Sequence, residues 1–201
     1  MTAMVQRACI PGACMLLSAT ALGAQQDSSR AEMRRRGCEA ARAGLQTGRV
    51  AEAREAILPL TICGADAAPV LASAWLLRWE DADILNALMG LTARQTDPAL
   101  FDALVVVARD ERLSTIQRCA ALYAMASYAK PSISGWVGDG EKGGTGIGLL
   151  HGRDGTGPED DALRLTYRRE LVELLESLNP PRDDYWFVAT VSILKGEMAR
   201  P

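Results

Sequence analysis

The chain has few of the residues on which nucleic-acid binding depends. Aromatic residues make up only 5% of its 201 residues, so the sequence lacks the stacking platform of single-strand binders. The formal net charge is −3, and acidic and basic residues alternate along most of the length. No basic stripe is therefore present to follow a phosphate backbone. We expect no nucleic-acid partner.

Histidine is almost absent, which limits the catalytic and metal chemistry that the sequence can encode. His151 is the only histidine of the chain. A zinc site needs three or four ligands, and a catalytic triad needs a placed nucleophile beside its base. The sequence shows neither set of partners around His151. We predict no catalytic residue, no metal-ligand set and no cofactor, and we interpret the protein as not an enzyme.

Long uncharged runs are confined to the N-terminus. Residues 8–24 carry no charge, follow Arg7 and end at a candidate cleavage site after Ala24, with a cut after Gly23 as the alternative. This pattern predicts a signal peptide over residues 1–24 and a polar leader over 25–30. An uncleaved anchor is the alternative for the same run. No later stretch could cross a bilayer, so we expect a secreted or periplasmic protein without a membrane span after signal removal.

Cysteine is scarce in the predicted mature chain, where only Cys38, Cys63 and Cys119 remain. The first two flank a helical hairpin with its turn at Thr47-Gly48 and are the natural pair in an oxidising compartment. Their unequal distances from the turn leave an offset of roughly 7 Å, which Pro59 is placed to relieve by bending the second leg. We predict a Cys38–Cys63 disulfide and a buried, inert Cys119 thiol.

The chain does contain a series of amphipathic helices joined by short turns. The stretch 97–129 is the clearest, because Asp97 can cap a helix with Pro98 at its first position and Ser114 with Gln117 forms a capping box. Hairpins begin near residues 31, 67 and 98, which defines a helical-repeat region over 31–130. Helical periodicity resumes in a C-terminal helical pair over 159–201.

One hairpin resembles a known repeat family. The turn at Asp110, followed by Arg118 and the run 120–122, is similar to the HEAT repeat. The resemblance implies that Asp110 and Arg118 pair in a structural ladder. The first hairpin is similar to a tetratricopeptide unit, although the Trp and Tyr of that consensus are missing. Together these features predict an all-α fold, a short α-solenoid of about four helical hairpins.

Glycine is concentrated in an insertion over residues 131–158. Ten of the 23 residues from Gly135 to Gly157 are glycine. The flanking stretches 133–137 and 145–151 predict the strands of a β-hairpin with its tip at 139–144. A disordered loop is the alternative for this segment.

Stacked helical hairpins generate an extended concave surface, so we expect a non-catalytic scaffold that binds a protein or peptide partner. Trp136 is either an exposed contact anchor on a projecting loop or a side chain packed back over the helices. Lys142, His151 and Arg153 are further candidate partner contacts. The alternative is a ligand-binding protein or enzyme whose site is the glycine-rich loop 136–154.

Overall fold

The computed structural model describes residues 11–130, 132–139, 145–151 and 161–200. The described part contains eight α-helices, one short 3-10 helix at Gly64–Asp66 and one two-stranded sheet. The elements in chain order are α1 Pro11–Gln46, α2 Val50–Leu60, α3 Ala67–Trp75, α4 Ala82–Thr92, α5 Pro98–Arg109, α6 Thr115–Ala129, β1 Ile133–Asp139, β2 Thr145–His151, α7 Asp161–Ser177 and α8 Tyr185–Ala199. The protein is therefore mostly helical, as the sequence predicts.

By internal contacts the chain divides into two units, residues 1–36 and 37–201. In the first unit, Glu32 pairs with Arg35 and Arg36 at 2.8 and 2.7 Å, and these guanidinium groups lower the pKa of its carboxyl to about 2. The expected cleavage site and polar leader lie within α1, and the signal peptide stays a prediction. Among the helices of the described part, none is long and apolar enough to cross a membrane.

Helix starts follow the capping residues that the sequence offers. The Asp97 carboxylate accepts the backbone N–H of Ala99 at 2.8 Å, with Pro98 at the first helical position. Ser114 accepts the N–H of Gln117 at 3.2 Å. Asp81 and Asp184 cap α4 and α8 in the same way. The predicted caps at Asp97 and Ser114 are confirmed. Asp66 precedes α3 without a capping hydrogen bond from its side chain.

In the second unit helices contact one another both within a hairpin, as α5 and α6 do, and between consecutive hairpins. Helix α2 contacts α4, α3 contacts α5, α4 contacts α6, and α6 contacts α8. Helix α6 lies at the centre, because every residue from Gln117 to Ala129 is buried. The hydrophobic core therefore surrounds α6, with α5, α7 and the sheet completing its cover.

The glycine-rich insertion forms the predicted β-hairpin. Strands β1 and β2 pair antiparallel, from Ile133 opposite His151 to Asp139 opposite Thr145, and the tip at 140–144 lies outside the described residues. The hairpin does not project from the protein, because β1 packs against α4 and α6 and buries Ile133 and Val137. It covers the helices that form the centre of the fold.

The pair between Asp110 and Arg118 that the HEAT resemblance implies does not form. Asp110 instead accepts the Nε of Arg112 at 2.8 Å and its backbone N–H at 3.0 Å, and this pairing lowers the pKa of Asp110 to about 2. Arg112 lies in the same turn, so a local pair satisfies the carboxylate. Arg118 donates its Nε to the Ala108 carbonyl at 3.2 Å and stacks 3.9 Å from the centroid of the Phe187 ring.

The cysteines lie where the sequence predicts. Cys38 and Cys63 form a disulfide with their Cα atoms 5.5 Å apart, and α2 ends at Leu60, so the second leg loosens before it reaches Cys63. Cys119 is a free, fully buried thiol. Burial raises the pKa of Cys119 to about 12, which keeps the thiol protonated at neutral pH.

Candidate functional site: an exposed aromatic face

The β-hairpin has two faces with different side chains, because successive residues of a strand point to opposite sides. The inner face carries Ile133, Val137 and Ile147, all buried. The outer face carries Trp136, which is 44% exposed, among glycines of both strands, namely Gly138, Gly146 and Gly148. The outer face is therefore a glycine surface with one large aromatic side chain on it.

The indole of Trp136 lies across this glycine surface. A Cβ added at Gly138 would lie 2.0 Å from Cζ2 of Trp136, and one added at Gly148 would lie 3.7 Å from its Cε3. No side chain fits at position 138 while the indole keeps this position. Part of the glycine content of the insertion thus makes room for Trp136.

A second indole reaches the same pair of strands. Gly146 pairs directly with Gly138, and a Cβ at Gly146 would lie 3.8 Å from Cη2 of Trp186. Directly paired residues have Cβ positions about 5 Å apart, so the ring edges of Trp136 and Trp186 lie within about 11 Å of each other. We call Trp136, Tyr185 and Trp186 the aromatic face.

The other two members of the aromatic face begin helix α8. Tyr185 is 71% exposed and Trp186 40% exposed, and their rings meet edge to face with centroids 5.4 Å apart. Asp184 fixes this turn, because its carboxylate accepts the hydroxyl of Thr115 at 2.8 Å and the N–H of Phe187 at 3.2 Å. Phe187 is fully buried, so the start of α8 is anchored at the start of α6.

Two contacts hold the inner side of the hairpin on the helices. Asn86 on α4 accepts the N–H of Val137 at 2.8 Å and donates its side-chain amide to the Val137 carbonyl. A Cβ at Gly135 would lie 2.4 Å from Cβ of Tyr123 and 2.6 Å from Sδ of Met89. Only glycine allows so close an approach to α6, and the aromatic face is presented from a fixed position.

Of the four residues predicted as partner contacts, one has its side chain in the described part of the chain. Of the two alternatives for Trp136, the structure shows the exposed side chain, but this side chain lies on a docked strand and not on a projecting loop. Lys142 and Arg153 lie outside the described residues. The backbone of His151 pairs with Ile133 at the end of β2, and its side chain lies outside the described part.

Sequence periodicity missed the α8 part of the aromatic face. A helical stripe through Tyr185, Val188, Val191 and Leu194 would place Tyr185 on the buried side of the last helix. The structure exposes Tyr185 and buries Phe187. Three consecutive aromatic residues directly after the Asp184 cap were the available signal, because one helical turn cannot bury all three on one side.

The described residues contain no candidate metal centre. No three His, Cys, Asp or Glu side chains of the described part cluster closely enough to hold a metal ion. A surface cavity of about 300 Å³ lies between the ends of α2 and α4, lined among others by Leu60, Leu91 and Arg94. This cavity contains none of the residues that the sequence singled out.

Comparison with known proteins assigns no family, since no family model, curated protein or solved structure matches the chain. The geometry of the aromatic face is therefore the basis for a functional proposal.

Proposed function

We propose that the protein is a non-catalytic scaffold that binds a protein or peptide partner through the aromatic face. The observation that carries this proposal is the convergence of Trp136, Tyr185 and Trp186 from two elements distant in sequence. Tryptophan and tyrosine supply large contact areas with few rotatable bonds and dominate the energetics of protein interfaces. Trp136 lies on a hairpin that packs against α4 and α6, and Tyr185 and Trp186 lie on the first turn of α8 beside the buried Phe187. Presentation from packed elements supports binding with little loss of conformational entropy.

The proposed architecture is a short solenoid of helical hairpins. The contacts of α2 with α4, α3 with α5, α4 with α6 and α6 with α8 support it, because each hairpin of a solenoid packs on its neighbours. The β-hairpin lies over α4 and α6, so a partner that approaches this layer meets the hairpin first. We therefore move the expected contact from a bare helical groove to the outer face of the hairpin.

The proposed location is outside the cytoplasm, in the periplasm or the extracellular medium. The Cys38–Cys63 disulfide supports this location, because such bonds form and persist in oxidising compartments. The predicted signal peptide over residues 1–24 leads to the same proposal.

A peptide-display selection against the purified protein tests the proposal. We expect enriched peptides that bind the native protein, and we expect Trp136→Ala and Trp186→Ala each to weaken that binding by about tenfold or more. More than half of each indole is buried, so the thermal midpoint of each variant is measured as well, and binding is compared at a temperature at which the variant is folded. Leu165→Ala is the matched control, because Leu165 is a 64% exposed apolar residue on α7.

Two results would contradict the proposal. The first is a selection that enriches no peptide with measurable affinity for the folded protein. The second is binding that survives both tryptophan substitutions as well as it survives Leu165→Ala, since the partner would then use another surface.

A further inference from the structure

Arg118 carries a buried charge that no carboxylate of the described residues neutralises. The side chain is only 7% exposed. Its contacts are the Ala108 carbonyl, which accepts Nε at 3.2 Å, and the Phe187 ring, whose centroid lies 3.9 Å from the guanidinium carbon. A buried cation without a counter-ion or a full set of hydrogen bonds is destabilising.

The terminal nitrogens of Arg118 are the unsatisfied part of the group. A guanidinium has five N–H donors, and Nε uses one of them on Ala108. Among the described residues, neither Nη1 nor Nη2 has a hydrogen-bond acceptor, and neither nitrogen is sealed from solvent. The remaining four donors therefore lack a partner among the described residues and keep a narrow contact with solvent.

The neighbouring carboxylates are already occupied. Asp184, at the start of α8 beside Phe187, accepts from Thr115 and from the backbone of Phe187. Asp110, in the turn before α6, accepts two side-chain hydrogen bonds from Arg112. Neither carboxylate forms an ion pair or a hydrogen bond with Arg118, so a direct partner for its terminal nitrogens has to come from outside these two groups.

We propose that Arg118 anchors an oxyanion-binding site that takes a carboxylate or phosphate group on its Nη1 and Nη2 edge. Two parallel N–H donors of a guanidinium match two oxygens of either group. Stacking on Phe187 and the bond to Ala108 fix the plane of the guanidinium before the ligand arrives. The site is separate from the aromatic face, although both adjoin the first turn of α8.

The test compares thermal midpoints in sodium phosphate, sodium acetate and sodium chloride at equal ionic strength and pH. We expect a saturable rise of a few degrees for the native protein in phosphate or acetate relative to chloride. Arg118→Lys keeps the charge but lacks the planar fork, so the rise should fall by at least about half. Arg112→Gln is the control and should keep the full rise, because Arg112 is exposed and pairs with Asp110.

Calorimetric titration of phosphate and acetate into the native protein and Arg118→Lys gives a direct second measurement. We expect an affinity at least about fivefold weaker in the lysine variant. A preference for acetate assigns the site to carboxylates, and a preference for phosphate assigns it to phosphate groups. The proposal is overturned if the native midpoint is the same in all three salts, or if Arg118→Lys keeps the full rise. Water alone would then satisfy the guanidinium.

Discussion

Two hairpins of this protein are attached to it in different ways. The helical hairpin that ends α1 and continues in α2 is closed by the Cys38–Cys63 disulfide. Its helices touch through small residues, and a Cβ at Gly44 would lie 2.8 Å from Cβ of Ala56. The β-hairpin has no covalent tie and buries the larger side chains of Ile133 and Val137 against α4 and α6.

The difference shows how the size of the buried side chains determines whether a hairpin gains from a covalent bond in addition to packing. Burial stabilises by about 25 cal/mol per Å² of apolar surface, so a contact built from alanine and glycine contributes little for its length. A covalent bond restricts the unfolded chain and supplements such a contact. The β-hairpin buries Ile133, Val137 and Ile147 and adds the two hydrogen bonds of Asn86.

The largest expected effect comes from removing the covalent tie. We expect the double substitution of Cys38 and Cys63 by alanine to lower the free energy of unfolding by about 3 kcal/mol, because the bond closes a loop with a sequence separation of 25. Urea unfolding followed by circular dichroism measures the loss. A loss below about 1 kcal/mol would mean that the small-residue contact holds the helices without the disulfide.

Gly135→Ala should have an effect almost as large on the β-hairpin. The added Cβ would collide with Tyr123 and Met89, so we expect a loss of about 2 to 3 kcal/mol in the free energy of unfolding. Gly148→Ala is the matched control on the outer face, where the new Cβ meets Trp136 at an ordinary 3.7 Å. Equal losses in the two variants would contradict the distinction between the inner and outer faces.

Asn86→Ala should have the smallest of the three effects. It leaves the N–H and C=O of Val137 without their hydrogen bonds, and we expect a loss of about 2 kcal/mol or less in urea unfolding. Hydrogen exchange at the Val137 amide should accelerate in the same variant. The exposed Asn179→Ala is the control and should be near neutral. Unchanged protection of Val137 would show that apolar burial alone seats the strand.

Local features of the fold could be predicted from the sequence, and contacts between distant elements could not. Asp97, Pro98 and Ser114 act on their own helix starts, so spacing along the chain is enough to identify them. Gln117 was predicted as part of a capping box. Its side chain instead accepts the N–H of Trp79 and donates to the carbonyls of Trp75, at the end of α3, and of Leu77, which no periodicity specifies.

The same distinction between local features and contacts of distant elements applies to the candidate site. Trp136 stands out in the sequence because little around it could bury an indole. Trp186 becomes relevant only through its position beside Gly146, which depends on how α8 packs near the hairpin. Asn86 is an ordinary polar residue of α4 until β1 is placed next to it. A single sequence contains no signal for such pairings between elements.

The two hydrogen bonds between Asn86 and Val137 also bear on whether β1 can pair with a strand of another chain. Unpaired N–H and C=O groups along an outer strand act as a template on which another chain can extend a sheet. Asn86 occupies both backbone groups of Val137, in the middle of β1. Asn86 thus removes one pairing position from the outer edge of β1 and makes that edge a poorer template for a second chain.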